Sequence, residues 1–430
     1  MRAGMQLRSR PFLVAILIGL LAEALFLWGL ATPHMLVFDE VHYVPAARAL
    51  IELSGPVNTE HPLVAKEMIA AGILLFGDNP FGWRFFSTIA ASATLMGLFA
   101  ITWLLFGRMR VAVMASIYAL LSFTLYVQAR IAMIDGYLAA FSILALAALL
   151  WAMRAPPGKA WPRWLLAGLL FGLAVACKWS AVPYLAGAGI GFLIVRWRDA
   201  VAAKKPLAAA LPGKDQPHWP GLPAIPALLA LGGVAILTYF LTFAPAFFYH
   251  DDPLTLRDLI PFQLDMYAEQ TQVLPHHTYQ SSWYTWPLLI RPIWYLYEYA
   301  DGAMRGILML GNPVIMWGGL AAVASCLIAG FRGDRKLLAV AAMWLGSWLI
   351  YAIIPKSLGF YYYYYLPSLF LCIALAAAFD RHAVGKYEHW DEAFAIFAFG
   401  IAVYFFPIIS AAQLSGDMAF RHWMWFSTWP

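Results

Sequence analysis

The stretch PFLVAILIGLLAEALFLWGLATPHMLVFDEVHY, residues 11–43, sets the fold class. Residues 11–31 are an apolar run of the length that crosses a bilayer, for which about 20 residues suffice. The run leads into two adjacent carboxylates, Asp39 and Glu40. Working outward, the apolar runs predict further spans near 83–106, 111–128, 132–152, 164–177, 181–196, 224–248, 307–330, 337–354, 360–379 and 393–413. That makes about eleven transmembrane helices in an all-α polytopic membrane protein, read as one domain over residues 1–430. Residues 64–77 are apolar too, and are read as an interfacial helix of the first outward segment.

Composition agrees. Of the 430 residues, 63% are hydrophobic and 12% charged, against about 45–50% and about 25% in soluble domains. A soluble enzyme, a disordered chain and a disulfide-stapled secreted domain are excluded. Cys177, Cys326 and Cys372 lie in apolar runs and are expected to be free, buried thiols. With Arg2, Arg8 and Arg10 before the first span, an N-terminus on the cytoplasmic side makes the loops alternate. The six inward segments then hold 18 of the 28 Lys and Arg but 7 of the 23 Asp and Glu, as the positive-inside rule requires. The net charge of +5 is therefore a topology signal, and no nucleic-acid partner is expected. Two outward segments, 32–82 and 249–306, exceed what a connection needs. Residues 197–223, with Lys204, Lys205, Lys214, Asp215 and several prolines, read as a mobile cytoplasmic linker.

The chemistry-bearing residues cluster outside. Asp39 near a membrane face is suited to act as a general base for a hydroxyl, although an acidic pair also suits a solvated loop. His61 and Lys66, in EHPLVAKE, flank the start of the interfacial helix. Arg130 and Asp135 sit at the next outward corner, and Lys178 at the one after. Outward cations run against the positive-inside rule, and several together point to an anionic ligand. In the second long segment, Arg291 lies among Trp283, Tyr284 and Trp286, where a phosphate or lipid contact competes with a simple aromatic belt. Asp251 and Asp252 are expected to cap a helix. The pair His276–His277 points two ways in regular structure, which disfavours a shared metal. Lys356 is outward, and Tyr361 to Tyr365 enter the tenth span. No phosphate-binding glycine loop or nucleotide fingerprint is present, so an activated sugar has to arrive from the lipid phase.

FDEVHY (38–43), EHPLVAK (60–66), RIAMIDGYL (130–138), CKWSAVPYL (177–185), HHTYQSSWYTWPLLIRPIWY (276–295) and FYYYYYLPSLFLCIALA (360–376) occur in the order of blocks in the protein O-mannosyltransferase family of GT-C membrane glycosyltransferases. The chain resembles that family along nearly its whole length. Leu63 and Thr278 stand where the family pattern has proline, and the second outward segment leaves no room for the β-trefoil domain inserted in eukaryotic members.

The resemblance implies a GT-C fold and an isoprenoid-phosphate-linked sugar, normally mannose. It implies inverting transfer to serine or threonine of a translocated protein at the outer face of the bacterial inner membrane. It casts Asp39 as the base and Glu40 as an orienting group paired with Arg130. His61, Lys66, Lys178 and Arg291 would hold the donor phosphate, with Asp135, Tyr284 and Tyr361 contacting substrate. Some GT-C relatives use a divalent metal at the acidic motif, and the sequence leaves that open. The same chemistry on a lipid or polysaccharide acceptor, as in aminoarabinose-transferring relatives, is the alternative. A secondary transporter would show midplane charges and repeats, and neither is visible.

Overall fold

In a computed structural model the described residues are 10–430 apart from 157, 214, 215 and 355. Arg2, Arg8, Lys214 and Asp215 thus lie outside the described residues. The chain forms α1 (Pro11–Leu27), α2 (Glu40–Glu52), α3 (Val64–Phe76), α4 (Pro80–Phe106), α5 (Met109–Leu120), α6 (Phe123–Ala129), α7 (Ile134–Met153) and α8 (Ala160–Cys177). After a 3-10 turn at Trp179–Ala181 come α9 (Val182–Ala202), α10 (Ala224–Leu241) and α11 (Leu259–Thr271). A hairpin of β1 (Ile293–Ala300) and β2 (Ala303–Met309) follows, then α12 (Pro313–Phe331), α13 (Arg335–Leu349), α14 (Tyr365–His382), α15 (Trp390–Ile409) and β3 (Gln413–Leu414).

Among the described residues, eight helices are long and apolar enough to cross a membrane, or nine if the bent pair α5–α6 is one span. The 17-residue α1 is apolar but shorter, and α13 has 15 residues. The protein is a multi-pass membrane protein. Helix starts follow their capping chemistry. Asn79 accepts from the amides of Phe81 and Gly82 at 3.0 and 3.1 Å with Pro80 at the first position of α4, and Asn312 accepts from the Val314 amide at 3.1 Å with Pro313 at the first position of α12.

Four sequence expectations are corrected. First, the span expected over 111–128 is broken, with α5 and α6 meeting at 65°. A break inside a membrane needs new partners for its freed backbone groups. Asn312 donates to the Leu121 carbonyl at 3.1 Å, and Ser122, Thr124 and Ser368 form a chain of hydroxyl bonds at 2.8 and 3.0 Å. Second, the fold is not purely helical. β1 and β2 pair antiparallel with a bulge between Trp294 and Leu296, and β3 pairs with β2. Their two-residue turn is Asp301–Gly302, with φ of 51° and 75°, the left-handed pair that an Asp-Gly hairpin requires. The span expected from 307 therefore begins at Pro313. Third, 197–223 is not a free linker. The buried Arg196 donates to the carbonyls of Ala210, Pro212 and Leu222, and the Trp219 indole donates to the Leu149 carbonyl at 3.0 Å while packing on Trp164 and Phe192. Fourth, Asp251 and Asp252 cap nothing, since the next helix starts at Leu259; the Asp251 amide instead donates to the Ser54 carbonyl at 3.0 Å. All three cysteines are free and buried.

Candidate active site

The first outward segment folds as α2 and α3, which pack on each other and on α4. Asp39 is the residue before α2, and Glu40 is its first residue. These neighbours part completely. Glu40 is fully buried and accepts from both Nε and Nη2 of the buried Arg84 at 2.8 Å, and from the amides of Val37 and Ala132 at 2.8 Å. Arg84 also donates to the carbonyls of Leu30, Pro33 and Met35 at 3.3, 3.0 and 2.8 Å. The pair therefore closes the loop between α1 and α2 onto α4. This corrects the expected Glu40–Arg130 pairing. Arg130 donates to the carbonyls of Phe26, Trp28 and Gly29. It caps the end of α1, where carbonyls have no partner in the helix.

Asp39 instead faces a cavity of about 180 Å³. Around it stand Tyr43, Glu60, His61, Lys178, Lys356, Tyr362 and Tyr363, with Glu269 and Gln270 from α11. Phe38 holds the turn in the left-handed region, φ 51°. Its ring stacks on Tyr295 of β1 with centroids 4.5 Å apart. A non-glycine residue in that conformation has to be fixed by its surroundings, and here the hairpin supplies the fixing contact. Burial pushes the Asp39 carboxyl up to about 6, against the opposing pull of the Lys178 ammonium. Lys178 donates to both Asp135 oxygens at 2.9 and 3.0 Å, and its ammonium lies 5.3 and 4.8 Å from the Tyr362 and Tyr363 ring centres. Burial is the largest single influence and works against its charge, but Asp135, Tyr363 and Asp39 together outweigh it and raise its pKa. Burial and the Lys178 charge hold His61 well below the ordinary histidine value, as neutral imidazole.

A second cavity of about 510 Å³ adjoins the first and shares Lys356, Ser357, Leu358 and Tyr363 with it. Its other walls include Trp283, Tyr284, Trp286, Arg291, Tyr351 and Ile354, with no carboxylate among them. Lys356 donates to the Tyr363 hydroxyl at 2.9 Å, so these two side chains form the partition. Gly359 lets the backbones on either side approach. A Cβ there would stand 2.6 Å from the Ser281 carbonyl oxygen.

The remaining expected site residues lie elsewhere. Lys66 spends its ammonium on the carbonyls of Val57, Asn58 and His61, and burial lowers it to about 7. It braces the loop and lines neither cavity. Arg291 lines the second cavity, donating to the Thr278 and Thr428 carbonyls. Tyr284 is 60% exposed at its edge. Tyr361 is buried away from both cavities, which take Tyr362 and Tyr363 instead. Asp135 reaches the site only through Lys178. Sequence reasoning missed Arg84, Glu60, Glu269 and the partition role of Lys356 and Tyr363. For Arg84 a signal existed: an ionisable residue at the start of an apolar helix marks a partnered group. Among the described residues, no three His, Cys, Asp or Glu side chains come together as a metal site.

Residues 60–212 match the family described as dolichyl-phosphate-mannose-protein mannosyltransferase, and residues 255–333 match the C-terminal four-helix region of protein O-mannosyltransferase. The chain belongs to the protein O-mannosyltransferase family. A polyprenol-phosphate-mannose–protein mannosyltransferase of Mycobacterium tuberculosis is 26% identical over 424 residues, covering 83% of this chain and 78% of that one. The Mycolicibacterium smegmatis protein of the same description is 25% identical, covering 79% and 76%. In fold, this mannosyltransferase is similar to the Saccharomyces cerevisiae Pmt1–Pmt2 complex bound to the sugar donor, with TM-score 0.78, 14% identity and coverage of 98% and 93%. It is also similar to ArnT of Cupriavidus metallidurans bound to undecaprenyl phosphate, with TM-score 0.58, 15% identity and coverage of 93% and 66%. The architecture is thus of the GT-C type.

If Asp39 is the base, it has to be ionised, and that sets the sign of the pH dependence. With Asp39 near 6, transfer should rise as pH rises through that value, and at pH 5 about one-tenth of the sites should be active. A profile of kcat/KM from pH 4.5 to 8 checks this. A flat profile down to pH 4.5 removes Asp39 as the titrating base.

Proposed function

We propose that this protein is an inverting mannosyltransferase that moves mannose from an isoprenoid-phosphate carrier to serine or threonine hydroxyls of translocated proteins. The reaction is placed at the outer face of the bacterial inner membrane, with the N-terminus inside. The observation that carries the reading is one cavity that brings together a raised carboxylate, Asp39, and the cations Lys178 and Lys356.

The two cavities suggest a division of labour. The smaller, with three carboxylates, suits the polar sugar and the acceptor hydroxyl. The larger, with cations, aromatics and no carboxylate, suits the tail side of an anionic lipid. The phosphate then belongs at the partition, beside Lys356, Tyr363 and Lys178. Asp39 takes the proton of the acceptor hydroxyl, whose oxygen attacks the anomeric carbon. The bond from that carbon to the phosphate oxygen breaks, and its electron pair leaves with the phosphate. Fixed cations in a desolvated site favour that growing charge, and displacement from the opposite face inverts the centre.

The test is a transfer assay with detergent-purified protein, radiolabelled polyprenyl-phosphate mannose and an envelope protein extract. Label in a proteinase-sensitive, base-eliminable product is expected. Label only in a lipid or glycan fraction would overturn the protein acceptor, and no label would overturn the donor. In the same assay, Lys356→Ala should raise the donor KM by about 10-fold or more, because charge-assisted hydrogen bonds are worth about 1.5–3 kcal/mol. An unchanged donor KM would place the phosphate elsewhere.

A further inference from the structure

The outward helix α11 has three faces. On the inner face Met266 is buried, Gln263 accepts from the Tyr239 hydroxyl, Glu269 accepts from the Thr59 hydroxyl at 2.9 and 3.0 Å, and Gln270 donates to the Glu60 carbonyl at 2.7 Å. A quarter-turn round, Ile260, Leu264 and Tyr267 are 57%, 66% and 52% exposed, and Leu256, just before the helix, is 81% exposed. Spacings of four and three residues put these on one stripe. The third face carries Pro261, Asp265 and Ala268, all exposed. Single exposed apolar residues are ordinary, but an apolar stripe of this kind marks an interaction surface.

Its surroundings say which. The preceding span leaves Leu237, Leu241 and Phe248 60%, 64% and 69% exposed, a face that bilayer lipid covers. Tyr267 stacks on Trp179, at the outer mouth of α9, with ring centroids 6.4 Å apart. The next turn of that span exposes Val182 by 47%. The stripe is therefore continuous with the lipid-facing surface of α9 and α10. A helix of 13 residues is too short to cross, and one whose apolar stripe joins a lipid-facing surface lies along the interface.

We infer that α11 rests on the outer leaflet, with Ile260, Leu264 and Tyr267 among acyl chains and Asp265 toward water. It thereby holds the Glu269–Gln270 wall of the Asp39 cavity at head-group depth, where a lipid-borne substrate presents its polar head. This second half rests on the proposed function; the lipid contact does not.

Because the native thiols are buried, a single exposed cysteine can be labelled in the full-length chain. Leu264→Cys and Asp265→Cys would each carry an NBD fluorophore in phosphatidylcholine/phosphatidylglycerol vesicles. The 264 label should emit at shorter wavelength and be quenched by doxyl-labelled lipid several-fold more than the 265 label. Equal, water-like emission from both would overturn the inference. So would a blue shift at 264 without doxyl quenching, which would mean that a protein partner or a second copy covers the stripe. A failed transfer assay with the expected quenching would remove the proposed function and leave the lipid contact standing.

Discussion

Asp39→Asn is expected to lower transfer by about 10²–10⁴-fold, the range that a positioned general base supplies, with no loss of thermal stability. The substitution keeps the shape of the side chain and its place before α2, where asparagine is as well tolerated as aspartate. The carboxylate it removes is desolvated, its pKa pushed up to about 6. A neutral group there should therefore be at least as stable. Lys178 keeps its partner Asp135 at 2.9 Å, so the cation proposed to face the phosphate stays in place. The split is diagnostic: kcat should fall while the donor KM changes little. Turnover within a few-fold of wild type would end the assignment of Asp39 as base. A matching loss of thermal stability would instead make its role structural.

The second large effect is on folding. Arg84→Met should destabilise the protein by about 3–5 kcal/mol, the cost of stripping one partner from a buried ion pair. The substitution leaves the Glu40 carboxylate in a dry site and frees three loop carbonyls, those of Leu30, Pro33 and Met35. Thermal unfolding in detergent measures it. The double variant Glu40→Met/Arg84→Met should be more stable than Arg84→Met alone, since no unpaired charge remains. A cycle with Glu40→Gln and Arg130→Ala should be additive, because those side chains serve different partners. An Arg84→Met protein as stable as wild type, or strong coupling between Glu40 and Arg130, would overturn the pairing described here.

The membrane class, the stretches that carry the chemistry and the family were legible because each rests on properties carried by short stretches. Apolar run length sets a span, loop charge sets orientation, and FDEVHY or CKWS survives as a local string. Asp39, His61 and Lys178 were found this way, and all three line one cavity. Even the hairpin had a local mark in Asp301–Gly302, overlooked because its flanking aromatics were assigned to a loop.

Tertiary structure alone decided how the charged residues pair. Arg84 and Arg130 are both cations at outward helix ends, and nothing in their neighbours says which meets Glu40. That depends on where α4 and α6 pack around the end of α1. Arg130 is occupied by the carbonyls of Phe26, Trp28 and Gly29, and Lys66 by those of its own loop. Backbone acceptors that water cannot reach have to be satisfied, and they leave no trace in side-chain sequence. The sequence by itself therefore determined that cations gather at the outer face; only the packed chain decided that Lys178 and Lys356 face the cavity while Arg84, Arg130 and Lys66 bind the scaffold, because burial makes an unfilled carbonyl or carboxylate costlier than an unfilled surface.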